Sequence, residues 1–209
     1  MQGYLTYIII AITCIISFIG FSDRRFFDKY LFSPYSVHIH KNEWYRVFTH
    51  AFLHADTMHL LFNMLSFYFF ALSLEQDIYP ALFPKHAQFY FIILYAGGIM
   101  VSSFPAFEKH KNNPVYRSVG ASGAVSAVIF SFILISPNAS LGFMFIPIPI
   151  PASVFGILYL VYSWYMGKRG RDNIGHDAHL WGGIFGFVFT FCLKPALLPA
   201  FFHQIMSLF

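Results

Sequence analysis

The sequence predicts an all-α membrane protein, a six-transmembrane-helix bundle with a long interfacial first loop. Three observations predict it. Hydrophobic residues make up 57% of the chain and charged residues only 11%, less than half of the roughly 25% charged content of soluble domains. Six apolar runs of about the length needed to cross a hydrocarbon core of roughly 30 Å follow one another along the 209 residues. The runs are continuous rather than alternating, which favours helices over the strands of a barrel.

The first run, Tyr4 to Phe21, has no Lys or Arg before it and no small-residue cleavage site after it, so a retained helix is expected rather than a signal peptide. A long connection from Ser22 to Thr57 follows, rich in Phe, Tyr and His and carrying Trp44, Tyr45 and Arg46 near its end. Such a mixture belongs at a membrane interface. The remaining runs are Met58 to Leu74, Ala87 to Phe107, Val119 to Ser136, Ala152 to Gly167 and Ala178 to Leu193. Between the fourth and fifth, Ile146-Pro147-Ile148-Pro149-Ile150-Pro151 lacks alternate backbone donors, and an extended linker is expected there. Lys168, Arg169 and Arg171 around Gly170 read as an interfacial anchor. Nucleic-acid binding is excluded, since it requires far more exposed basic surface. Cys14 and Cys192 both fall in apolar runs, so they are read as packing residues, with no disulfide framework or cysteine metal site. A single domain over 1–209 is expected, with no separate soluble domain.

Polar groups at membrane depth are usually functional. His59 lies at the start of the second run, Ser122 at the start of the fourth and His179 at the start of the sixth. Helices two, four and six run in the same direction, so the three starts share one face of the membrane. Asn63 follows His59 by one helical turn and lies on the same helix face. A serine hydroxyl needs a base to take its proton, and a neutral imidazole is the usual one; Ser122 is the candidate nucleophile and His179 the candidate base. Asp177, two residues before His179, belongs to another helix face, which argues for a dyad rather than a triad. His59, the Asn63 amide and the Ser122 backbone N–H are the candidate oxyanion donors. Gly120 and Gly123 let the fourth helix begin close to its neighbours, and Ala178, Gly182 and Gly186 form a small-residue stripe that lets the sixth approach it. Other readings stand beside these: a glycine-flanked serine is often a helix-packing residue, and His50, His54 and His59 are conceivable metal ligands. No His-Glu-x-x-His pattern is present, however, and hydrogen bonding within the first loop is the preferred role for His50 and His54.

The motifs Trp44-Tyr45-Arg46, His50-Ala51-Phe52-Leu53-His54, His59-Leu60-Leu61-Phe62-Asn63, Gly120-Ala121-Ser122-Gly123 and Ala178-His179-Leu180-Trp181-Gly182, in this order and spanning nearly the whole chain, resemble the motif set of the rhomboid intramembrane serine proteases. The resemblance implies Ser122 as nucleophile, His179 as general base, and His59 and Asn63 as oxyanion stabilisers, with Gly120 grouped beside them as the residue shaping the nucleophile's turn. It implies structural roles for Arg46 in the first loop and Glu75 in the bundle, no cofactor and no metal. The partners it implies are the lipid bilayer and transmembrane substrate proteins, cut where Gly, Ala, Ser or Pro lets a helix unwind.

Two positions depart from the family pattern. Many members carry, four residues after the nucleophile, an aromatic that stacks on the catalytic histidine; here the residue is Ser126, which leaves the orientation of His179 to another ring, Trp181 or a nearby Phe. Tyr45 also separates the tryptophan from the arginine of the family's loop signal. Topology sets two arguments against each other. Eleven of the thirteen Lys and Arg residues lie on the loops after spans one, three and five, and only Lys85 and Lys194 lie opposite, so the positive-inside rule puts the site's face in the cytoplasm. The resemblance implies the reverse orientation, in a bacterial inner membrane, and is preferred because several of the cations belong to a folded loop. A non-catalytic relative that handles membrane helices, and a metal-dependent hydrolase or oxidase, are the competing functions.

Overall fold

The computed structural model describes residues 4–143, 146–169 and 174–207. It is mostly helical. The first helix, α1 (Leu5–Ser22), buries Thr6, Thr13, Ser17 and Gly20 and turns Ile8, Ile12, Ile15 and Ile19 outward. This reverses the pattern of a soluble amphipathic helix. Small residues line the protein contact and large apolar ones face outward, as helix packing in lipid favours.

The connection after α1 is folded rather than slack. Asp23 caps a short helix, Arg24–Tyr30, by accepting from the N–H groups of Arg25 and Phe26, and Ser33 caps a second, Pro34–Ile39. Side-chain acceptors at these positions satisfy amides that a helix start leaves unpaired. Next comes α2 (Thr57–Ser73), capped by Asp56, which accepts from the His59 N–H at 2.8 Å. It runs on through a wider π turn, Leu74–Ile78, to Leu82. α3 (Ala87–His110) contains Pro105, and α4 (Ser122–Ile135) buries eleven of its fourteen residues. An all-round apolar helix belongs at the centre of a bundle.

Strands β1 (Ser140–Phe143) and β2 (Ile146–Pro151) form an antiparallel hairpin with Ser140 opposite Pro151 and Leu141 opposite Ile150, and with an irregularity between Leu141 and Phe143. The proline-rich segment, expected as an extended linker, is extended and in addition pairs as a hairpin strand. Alternate prolines leave every second residue with a donor, and that is enough for a two-stranded edge. α5 (Ala152–Arg169), α6 (His176–Leu193) and α7 (Leu197–Met206) complete the chain. α7 turns through 115° from α6. Of the predicted basic cluster, Lys168 lies over the Trp164 ring and Arg169 over Tyr165, while Gly170 and Arg171 lie outside the described residues.

Each of the six predicted runs has a helix, but the number of spans does not follow from length and apolarity. Among the described residues three helices, Leu5–Ser22, Thr57–Leu82 and Ala87–His110, are long and apolar enough to cross a membrane alone, and the bent α6–α7 pair qualifies together. α4 falls short. At about 1.5 Å per residue its fourteen residues extend about 21 Å, below the roughly 30 Å of a hydrocarbon core.

The core gathers around α4. A Cβ on Gly98 of α3 would come within 3.0 Å of the Ala124 backbone, and one on Gly182 or Gly186 of α6 would collide with the carbonyls of Gly123 and Ala127. One turn further, Thr190 donates to Ser131 at 2.7 Å. The pairs Gly123–Gly182, Ala127–Gly186 and Ser131–Thr190 advance four residues at a time on both helices, so α4 and α6 run parallel and in register. α2 runs the same way: its His59 ring meets Gly120 before α4, and Tyr79 on its extension reaches Ser131 at 2.9 Å.

Candidate active site

Ser122 is the first residue of α4 and is half-buried. Its entry turn is made by Gly120, whose φ of +120° is the only positive value among the described residues. Any other residue would be strained there. A Cβ at Gly120 would also lie 2.7 Å from Cε1 and 2.9 Å from Nε2 of His59, so glycine is what lets the imidazole reach the turn. The Gly120 N–H donates to the His50 carbonyl at 3.0 Å. Just upstream, Ser118 and Phe32 exchange both backbone hydrogen bonds at 3.0 Å. Irregular backbone packed among apolar helices must find its partners inside the protein, and here the folded first loop supplies them.

The first-turn amides of a helix have no partner within it and carry the positive end of its dipole. At α4 the ladder starts with Val125 donating to Ala121, which leaves the Ser122 and Gly123 N–H groups as the donors beside the hydroxyl. Asn63 is buried on α2, and its side-chain amide donates to the His59 carbonyl at 3.0 Å. An amide nitrogen has two protons. One stays available beyond that bond.

His179 lies in the first turn of α6, its backbone N–H bonded to Gly175 at 3.1 Å. The helix starts carrying Ser122 and His179 meet at bare backbone: Gly182 packs on the Gly123 carbonyl, and the Ala178 carbonyl is 3.5 Å from a Cβ placed on Gly123. Asp177 faces elsewhere and pairs with Lys109 of α3 at 3.4 Å. Trp181, expected as an orienting ring, is 45% exposed on the outside of the bundle. Two rings lie beside His179: Tyr159 of α5 is near-parallel to it, with centroids 5.9 Å apart and planes inclined by 27°, and His176 of α6 meets it edge-on at 5.9 Å. Sequence reasoning missed the tyrosine because no motif surrounds Tyr159 and the contact joins residues on different helices.

Two loop histidines tie the first loop to α3 and α1. The Ser103 hydroxyl spends its proton on the Ile99 carbonyl, so the 3.0 Å contact with His50 is donated by Nε2. Likewise Ser17 donates to Phe52, and His54 Nδ1 donates to Ser17 at 2.9 Å. Burial holds the pKa of His50 down to about 4 and that of His54 down to about 3, the latter helped by neighbouring His59 and opposed by Asp56. Both rings are neutral near pH 7.

Arg46 staples the loop from within. It is buried, bonds Glu43 at 2.6 Å and donates to the carbonyls of Asp28 and Leu31 at 2.8 and 2.9 Å. Glu75, also buried, accepts the first amides of α1, from Leu5 at 2.7 Å and Thr6 at 2.8 Å. A carboxylate at a helix N-terminus is favoured by the dipole as well as by the hydrogen bonds.

The rhomboid domain family model matches residues 41–196, three quarters of the chain. The chain is similar to RHOMBOID-like protein 12, mitochondrial, of Arabidopsis thaliana, with 31% identity over 64% of this chain and 42% of that protein. It is similar to a candidate rhomboid protease, YdcA, of Bacillus subtilis, with 28% identity over 75% of this chain and 71% of the relative. RHOMBOID-like protein 1 of Arabidopsis thaliana is 30% identical over 77% of this chain and 38% of its own length. The chain thus spans about two fifths of each plant relative.

Proposed function

The chain belongs to the rhomboid family, and from that membership we propose that it is an intramembrane serine endopeptidase working through a Ser122–His179 dyad. In this reading α1 to α6 are six spans of a single domain covering 1–209, with α4 sunk below the headgroups because it is short. The chain's apolar helices make it an integral membrane protein. A bacterial inner membrane, with the site on the outer face, is part of the proposal.

The reaction follows from the groups at the three helix starts. Ser122 Oγ attacks the carbonyl carbon of a scissile peptide bond while its proton passes to the His179 imidazole. The oxyanion is held by the Ser122 N–H, the free proton of the Asn63 amide and the His59 ring. Collapse breaks the C–N bond; the leaving amine takes the proton from His179, and an ester remains on Ser122. Water then attacks the ester, giving its proton to His179, and the acid product leaves as Ser122 is reprotonated. Preorganised donors of this kind are usually the largest contribution to such catalysis. The substrates proposed are transmembrane segments of other membrane proteins, cut where the helix unwinds at low cost.

The observation carrying this reading is the meeting of Gly120 with the His59 ring and of Gly123 with Gly182. It brings the starts of α2, α4 and α6 together around a hydroxyl. Cleavage of a model transmembrane substrate and labelling by a fluorophosphonate test it. Ser122→Ala is expected to lose both while remaining folded and membrane-inserted. Wild-type product from that variant removes the nucleophile assignment. Protease accessibility of tagged termini in intact cells decides the orientation.

A further inference from the structure

We propose that Tyr159 is the positioning residue for His179, its ring holding the imidazole at the angle from which it takes the Ser122 proton, and that Ser126 anchors this ring to the nucleophile's own helix turn. The proposal rests on the dyad reading above.

The direction of each proton can be derived. Ser126 Oγ donates to the Ser122 carbonyl at 2.8 Å, and a serine hydroxyl has one proton. The 2.6 Å contact between Ser126 Oγ and the Tyr159 hydroxyl is therefore donated by the tyrosine. A chain of two hydrogen bonds runs from Tyr159 through Ser126 to the residue carrying the reacting hydroxyl. The other end of the same side chain lies beside His179 in an offset, near-parallel arrangement, within the 4.5–7 Å range in which ring pairs gain energy beyond their buried area. Phe130 of α4 and Phe155 of α5 flank the Tyr159 ring at 5.7 and 5.6 Å. With these rings against it and its tip tied, the ring has little freedom to tilt. His179 has two rotatable side-chain bonds, and its alignment with Ser122 depends on what it lies against.

The arrangement also accounts for the small residue at 126. A side chain larger than serine there would occupy the space of the Tyr159 hydroxyl, so a ring on α4 and a ring from α5 are alternatives for the same surface of His179.

Purified wild type and variants, compared for kcat and KM on a model transmembrane substrate, for the rate of fluorophosphonate labelling and for thermal stability, test the proposal. Tyr159→Leu is expected to lower kcat about 10- to 100-fold, the effect of misplacing a catalytic group by about 1 Å, with KM unchanged and labelling slowed in parallel. Tyr159→Phe keeps the ring and is expected to fall between the two. Ser126→Phe, added to Tyr159→Leu, is expected to restore part of kcat by supplying a ring from α4. Wild-type kcat in Tyr159→Leu, or a rise in KM alone, overturns the proposal, the latter because the ring would then contact substrate. Where Tyr159→Leu loses its fold, Ser126→Ala carries the test: a lowered kcat at constant KM supports the anchor, and an unchanged kcat overturns it. Ser122→Ala and His179→Ala in the same assay separate the two levels. Activity in those variants removes the dyad, whereas their inactivity beside a fully active Tyr159→Leu removes only the positioning role.

Discussion

The two ends of the α2–α4–α6 core both hold polar side chains in apolar surroundings, and they use them oppositely. At the deep end Thr190 donates to Ser131 at 2.7 Å, Tyr79 meets Ser131 at 2.9 Å and Thr190 at 3.3 Å, and all three residues are buried. Each hydroxyl there can donate once and accept once around a closed ring. No proton is left over for a ligand. Nine residues nearer the start of α4, about 14 Å along the helix, Ser122, His59 and His179 are half-buried and the first-turn amides have no intrahelical partner. A closed network stabilises a fold, because every polar group removed from water finds a replacement. An open one is suited to chemistry, because its spare donors can meet charge that develops during a reaction.

The contrast can be broken at either end. His179→Ala is expected to have the largest effect, reducing cleavage of a transmembrane substrate to background while thermal stability stays near wild type. Residual turnover close to wild type would assign the base elsewhere. Asn63→Ala should come next, lowering kcat about 10²- to 10³-fold, the usual cost of one oxyanion donor, with fluorophosphonate labelling still detectable. Loss of folding would instead move Asn63 to the structural class.

At the closed end, Thr190→Val should cost about 1–3 kcal/mol of stability by opening the hydroxyl ring, with kcat unchanged; a kcat loss without a stability loss would show that the deep cluster communicates with the site. The loop histidines make a smaller, pH-dependent contribution. Their ordinary value is 6.5, and the folded values are about 4 for His50 and about 3 for His54, so between these limits the unfolded chain binds protons that the folded loop refuses. Stability is therefore complete above about pH 6.5 and is lost as pH falls towards 4 and then 3. Unfolding followed at pH 7.5, 6 and 5 should show a falling midpoint, less steep in His54→Gln. Smallest of all, Asp177→Asn should leave kcat nearly unchanged, since the partner of Asp177 is Lys109. A severe loss would make the dyad a triad.

Much of the candidate site was legible because its residues sit at local signals. Ser122 between glycines, Asn63 one turn after His59, and the Gly182 and Gly186 stripe can each be recognised within a few positions of one helix. The same holds for the loop, where Arg46 follows Trp44 and Tyr45 and then binds carbonyls 15 and 18 residues upstream. Tyr159 was not legible. It lies 33 residues from Ser126 and reaches it across a helix contact, and no periodicity marks one tyrosine among the three of α5. Trp181 was the wrong choice because closeness in sequence to His179 does not decide which way a helix turns its neighbours. The proline-rich segment is extended, as its alternate prolines imply, but its pairing was hidden because its register partner, β1, has no strong pattern of its own.

Composition and the continuity of the apolar runs settled that this chain is helical and apolar, and the order of its motifs pointed to its family, because those properties are read along the sequence itself. Tertiary structure alone decided which ring stacks on the imidazole, which carbonyls the loop covers and how short α4 is. Each of these depends on the distance between helices, and in this protein that distance is determined where glycine brings two backbones into contact.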